Sequence, residues 1–169
     1  MHSRIQFGLA AVLYLASILT GPVSAAELTG THNDWKTYKH GAGKDQMCFA
    51  VTPAQEQQPS GGDRKTPHAY VTTWPKQGVK AEISILLGFD LKPDSDVTVD
   101  VSGASFKLFA DGDRGFVGEP GDEEKLLAAM KRGTRMTVEA ISDKGTKSRD
   151  VFSLSGVTAS MQEITAGCS

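Results

Sequence analysis

Between residues 79 and 87 the chain reads VKAEISILL. Val79, Ala81, Ile83 and Ile85 fall on one face of an extended segment, and the run then becomes continuously apolar. Alternation with a period of two marks a half-buried strand; an unbroken apolar stretch marks a deeper one. Strand character, from alternation or from aromatic and β-branched content, predicts further strands at 34–39, 46–52, 69–74, 97–101, 105–110, 115–117, 134–141 and 149–154. Segment 97–101 (VTVDV) alternates strictly, and 134–141 puts Met136, Val138 and Ala140 on one side. Turn residues separate the runs: Gly41-Ala42-Gly43, Ser102-Gly103, Asp111-Gly112-Asp113 and Asp143-Lys144-Gly145. Many short strands at this spacing predict an antiparallel β-sandwich or a partly closed barrel.

Two segments change to a helical period. Segment 122–132 (DEEKLLAAMKR) opens with acids, closes with bases and stops at Gly133. That order suits the helix dipole, with a glycine cap at the end. Leu126, Leu127, Ala129 and Met130 form its packing face. In 157–165, Val157, Met161 and Ile164 share one side. The expected fold class is therefore mainly β, with two short α-helices.

Segment 53–67 (PAQEQQPSGGDRKTP) breaks both patterns. It holds three prolines and a glycine pair, and nothing in it can form a core face. We expect a solvated loop, the kind of segment that often carries function. Its candidate partner contacts are Gln55, Glu56, Gln57, Gln58, Asp63, Arg64 and Lys65, and deletion of 55–65 is expected to spare folding. Trp74 ends a strand before Pro75. It is a candidate rim aromatic for a partner or a small ligand, with core packing as the competing role.

The N-terminus adds a compartment. Arg4 precedes an apolar run at 7–19 (FGLAAVLYLASIL), followed by the small residues Ala25 and Ala26. The run is shorter than the roughly 20 residues that a membrane span needs. The expectation is a cleaved signal peptide over 1–25 and a single β-domain over 26–169, in the periplasm or secreted. No later segment is apolar enough to span, so we do not expect an integral membrane protein. Cys48 and Cys168 are the only cysteines. An even count in an exported chain predicts that they pair. Such a bridge closes a loop of nearly the whole domain, worth on the order of 4–5 kcal/mol in chain entropy.

Charge is nearly balanced, 18 basic against 20 acidic residues. No basic stripe points to nucleic acid. The chain has no G-x-S-x-G, P-loop, dinucleotide, C-x-x-C or H-E-x-x-H signature. Asp111 and Asp113 lack the further oxygen ligands of a calcium loop. His32, Asp34, His40 and His68 match no standard metal spacing and read as exposed polar residues. Asp122, Glu123 and Glu124 read as helix-start acids serving the dipole. We assign no catalytic residue, no metal ligand and no cofactor.

Several segments together resemble one family. They are Asp34-Trp35, Met47-Cys48-Phe49-Ala50, Ala69-Tyr70-Val71 after the proline-rich loop, the apolar strand at 82–88, and the helix at 123–133. The chain closes with Asp150-Val151-Phe152-Ser153-Leu154-Ser155-Gly156 and a final cysteine, which is the most specific part. These resemble the invasion-associated locus B family, small exported proteins of Gram-negative bacteria. The resemblance implies a periplasmic or secreted β-sandwich-like domain with one disulfide, Cys48–Cys168, and no enzymatic activity. The family name implies an association with host-cell invasion; a general envelope role is equally compatible. The expected function is a non-enzymatic exported domain that binds a protein or envelope component. The alternative is a small-ligand carrier using the sandwich interior or rim.

Overall fold

A computed structural model describes residues 25–59 and 63–168. Residues 1–24, and with them all but the last residue of the expected signal peptide, lie outside the described part. Eleven strands form: β1 Glu27–His32, β2 Trp35–His40, β3 Met47–Pro53, β4 Glu56–Gln58, β5 His68–Trp74, β6 Val79–Leu86, β7 Asp96–Val101, β8 Ala104–Asp111, β9 Arg114–Phe116, β10 Arg135–Ile141 and β11 Lys147–Ser153. Two α-helices join them, α1 Pro120–Arg132 and α2 Val157–Gly167. The strands make one antiparallel sheet in the order β1-β2-β3-β5-β6-β9-β8-β7-β10-β11-β4.

The sheet folds over on itself without closing into a barrel. Its far end, β4, follows β3 directly in the chain. Ala54 N–H donates to Pro67 O, just ahead of β5, while the next residue, Gln55, donates to Val151 O on β11. One peptide link therefore steps from one half of the sheet to the other.

Alternation along the strands fills the space between the halves. Trp35, Ala50, Val71, Ile83, Ile85, Val97, Val99, Leu108, Met136, Val138 and Phe152 point inward and are buried. β9 pairs only with residues 84–86 of β6, so residues 79–83 have no strand on that side. Helix α1 lies against this opening. Its buried residues are Leu126, Ala129 and Met130, and its Glu123 carboxylate accepts the Ile83 N–H at 2.7 Å. Glu123, expected to serve only the helix dipole, takes the place of a missing strand.

The glycine after α1 differs from its expected role. Gly133 has an extended backbone (φ −81°), not a left-handed cap. It is needed for space: a Cβ there would lie 2.6 Å from Val101 Cγ1 and 3.0 Å from Leu154 Cδ1. Ser102 and Gly103 both have positive φ, 54° and 87°, as a tight hairpin turn between β7 and β8 requires.

Two strands were missed from the pattern. β1 (ELTGTH) carries one apolar residue and lies exposed at the edge, so no buried face imposes alternation on it. Its Gly30 admits Glu163 of α2; a Cβ there would sit 2.2 Å from a Glu163 carboxylate oxygen. β4 (EQQ) has no apolar residue and is held by backbone pairing to β11.

Each half has an inner fastening. In the β1–β5 half, α2 packs on β1, β2 and β3, and Cys168 at its end bonds Cys48 of β3. The two Cα atoms are 5.9 Å apart across 120 residues of sequence. In the other half, Asp150 points inward from β11 and is fully buried. Arg64 meets it with two parallel hydrogen bonds, 3.0 and 2.6 Å. The same guanidinium donates to Leu87 O and Gln58 O and lies 4.6 Å from the Phe89 ring centre. Burial pushes the Asp150 carboxyl up; the Arg64 hydrogen bonds and charge pull it partly back. A buried charge of this kind is tolerable only while its partner stays in place.

Segment 53–67 is thus not a free loop. It contains β4 and delivers Arg64 into the interior. Lys65 N–H also donates to Gly88 O. Gly88 sits at φ +75°, and a Cβ would lie 2.1 Å from Lys65 O. Sequence reading saw the polarity of the segment but not that one of its charges has a buried partner 86 residues away. The expectation that 55–65 can be deleted without cost to folding does not fit this anchor.

A candidate partner-binding surface

The solvent side of the sheet carries a row of aromatic rings. Register alone puts them together. Tyr38 pairs with Phe49, Tyr70 with Ser84, Ser84 with Phe116, and Phe116 with Phe109. All belong to the outward set of their strands, opposite the core residues. Tyr38 and Phe49 stack with centroids 5.1 Å apart, and Phe49 and Tyr70 are 6.1 Å apart. Phe109 and Phe116 stack at 5.8 Å. Arg114 lays its guanidinium 5.1 Å from the Tyr70 ring centre.

These rings are not core. Phe109 is 50% exposed, and Tyr38, Phe49, Tyr70 and Phe116 are half-buried. They do cover what lies beneath: Ser84, on the outward side of β6, is only 3% exposed. A run of rings across five strands of a solvent-facing sheet is the kind of apolar patch that marks a contact surface.

Trp74, half-buried at the end of β5, borders an outward groove of about 290 Å³ on this face. Met47, Phe49, Tyr70, Glu82, Arg114 and Phe116 also line it. The other tryptophan, Trp35, is fully buried, its indole N–H donating to Ser153 O at 3.0 Å.

The proposed loop contacts do not share this face. Gln55, Glu56, Gln58, Asp63 and Lys65 are exposed, Gln57 is half-buried, and Arg64 is committed to Asp150. Gln58 lines a second groove, about 520 Å³, on the β7–β10–β11–β4 half with Thr98, Glu139 and Arg149. Trp74, a candidate from the sequence, lies beside these rings, and the sequence does not pick out Tyr38, Phe49, Tyr70, Phe109 and Phe116 as a set. Each alternates correctly with core residues, and only the strand order shows that the outward positions are neighbours.

The histidines are placed apart. His32 pairs with Glu163 of α2, and His68 contacts Thr66 O at 2.9 Å. The Glu163 carboxyl is held below the usual carboxylate range, first by the hydrogen bond to His32, against a smaller upward push from burial.

The sequence profile for "Invasion associated locus B (IalB) protein" matches residues 36–165. The chain belongs to the invasion-associated locus B family. The matched span runs from β2 through most of α2 and includes the aromatic row, the groove and Arg64–Asp150. A crystal structure of invasion associated protein b from Bartonella henselae shares the fold, with TM-score 0.58 at 12% identity, covering 86% of this chain and 99% of that one. No curated protein matches the chain. The family resemblance read from the sequence and the mainly β fold with its Cys48–Cys168 disulfide are both borne out. No helix among the described residues is long and apolar enough to cross a membrane.

Proposed function

We propose that this member of the invasion-associated locus B family is an exported, non-enzymatic binding domain. It is cleaved after residue 25, folds as one domain over 26–169, and works in the periplasm or after secretion. Its partner is a protein or other envelope component, or a host-cell protein for a secreted population with a part in invasion. The observation that carries this reading is the outward aromatic row from Tyr38 to Phe109, half-buried except at Phe109. Its rings contribute little to the core, yet the sheet presents them together. The exposed loop residues Glu56, Gln58, Asp63 and Lys65 offer a separate polar contact on the opposite half.

The carrier alternative retains only the rim. The inward positions are filled by Trp35, Phe152, Leu126, Met130 and their neighbours, whereas the groove beside Trp74 opens to solvent. A photo-crosslinking residue at position 70 in the full chain, activated in intact cells, tests the proposal. A discrete crosslinked partner, lost in a Phe49→Ala/Phe116→Ala variant that still folds, is the expected result. Crosslinks from position 58 but none from position 70 would move the contact to the loop side.

A further inference from the structure

We propose that the groove beside Trp74 docks an extended, proline-rich protein segment carrying a basic residue. This rests on the reading of the aromatic face as the binding surface and names the chemistry of what it holds.

The first support is shape. The groove crosses β3, β5, β6 and β9, with Met47, Phe49, Tyr70, Trp74 and Phe116 as its apolar walls. The Phe49 and Tyr70 ring planes are tilted by 49° with centroids 6.1 Å apart. Phe49 and Tyr70, at the middle of the groove, therefore stand as two ridges and not as one flat plate. Ridges of this spacing accept the pyrrolidine rings of a polyproline-II segment. Such a segment is already extended before binding and loses little conformational entropy on docking, which is why aromatic-lined grooves select it. Phe49 and Tyr70 do not together offer the flat stacking platform that a sugar ring prefers.

The second support is charge. Glu82 lies half-buried in the groove and has no hydrogen bond or ion pair among the described residues. It faces a like charge instead. Burial pushes the Glu123 carboxyl up, the Ile83 N–H pulls it down, and the Glu82 charge adds to the upward push. The groove's cation, Arg114, lies over the Tyr70 ring with Asp113 at 4.0 Å and forms no ion pair with Glu82. The groove thus offers one uncommitted carboxylate, and a lysine or arginine on the incoming segment would neutralise it.

The test uses the full chain and a blocked ten-residue peptide of prolines and alanines with one arginine near an end. Trp35 is sealed in the core, so a change in tryptophan emission reports Trp74. Saturable binding is expected, weakened at least about tenfold by Trp74→Ala in calorimetry, the scale of an aromatic anchor. Glu82→Gln should weaken the arginine peptide several-fold and leave an all-uncharged version unchanged. Thermal melts of both variants confirm that they fold. Binding indifferent to both substitutions, or no binding up to millimolar peptide, overturns the inference. So does saturable binding of a soluble N-acetylglucosamine oligomer at Trp74 without peptide binding. If the peptide fails while position 70 still crosslinks a discrete partner, the inference falls and the aromatic-face reading stands. If both fail, both fall.

Discussion

The outer face of the sheet has two halves that meet solvent in opposite ways. On β7, β10, β11 and β4, side chains of opposite sign sit beside each other: Arg149 with Glu139 at 3.8 Å, and Arg135 with Glu56. In that half these four outward charges are neutralised by one another. On β2, β3, β5, β9 and β8, rings fill the same kind of outward position. Water serves a salt bridge well and an exposed ring poorly, so the second half gains more from a partner. The inner fastenings reverse the contrast. The aromatic half is held inside by a covalent bond, and the charged half by an ion pair stripped of water.

The largest expected effect attacks that second fastening. Arg64→Ala should leave the buried Asp150 carboxylate without its charge partner, with only the Gln58 backbone N–H still bonded to it, and cost about 3–5 kcal/mol in urea unfolding. A loss below about 1 kcal/mol would mean that the pair behaves like its exposed counterparts, and the inside–outside contrast would fail. Next comes the aromatic half's own fastening. Cys48→Ser opens the 120-residue link and should cost about 2–4 kcal/mol, with far less further effect from reductant on the variant than on the parent.

The outer faces should separate stability from binding. Phe49→Ala removes a ring stacked on Tyr38 and should lower stability by about 1 kcal/mol or somewhat more while strongly reducing partner capture. Arg149→Ala should cost less than about 1 kcal/mol and leave capture unchanged. Equal capture by the two variants would erase the distinction between the halves.

The smallest effect is in pH. Folding holds the Glu163 carboxyl below its usual range, chiefly through His32. The folded state then binds fewer protons than the unfolded one across that window, so stability from this contact rises with pH. It is fully present above the unfolded carboxylate value, roughly pH 4, and fades as pH falls through the lower folded value. Asp150 and Glu123, both pushed up, slope the other way. The stability difference between the parent and Glu163→Gln should therefore shrink on acidification. A difference that grows would contradict the assigned direction.

Much of this was legible in the sequence because burial imposes a period. Nine of the strands and both helices show it, since each has one face against the core. β1 and β4 do not, because neither turns an apolar row inward. Cys48–Cys168 was legible from the expectation of export and the even cysteine count. Arg64–Asp150 was not, because a charge in a polar segment carries no mark of its distant partner. The aromatic row was hidden for a related reason. Alternation tells which residues face out but not which outward residues become neighbours, and here β8 reaches β6 only through the three-residue β9.

The position of the disulfide has one more consequence, for the chain as a thread. Lys65 and Thr66 are both exposed between β4 and β5. A single cut there places Cys48 on one piece and Cys168 on the other. The two pieces also remain interleaved, since β3 lies beside β5 and β4 beside β11 across the cut. Nicked protein would therefore migrate as one molecule without reductant and as two fragments with it.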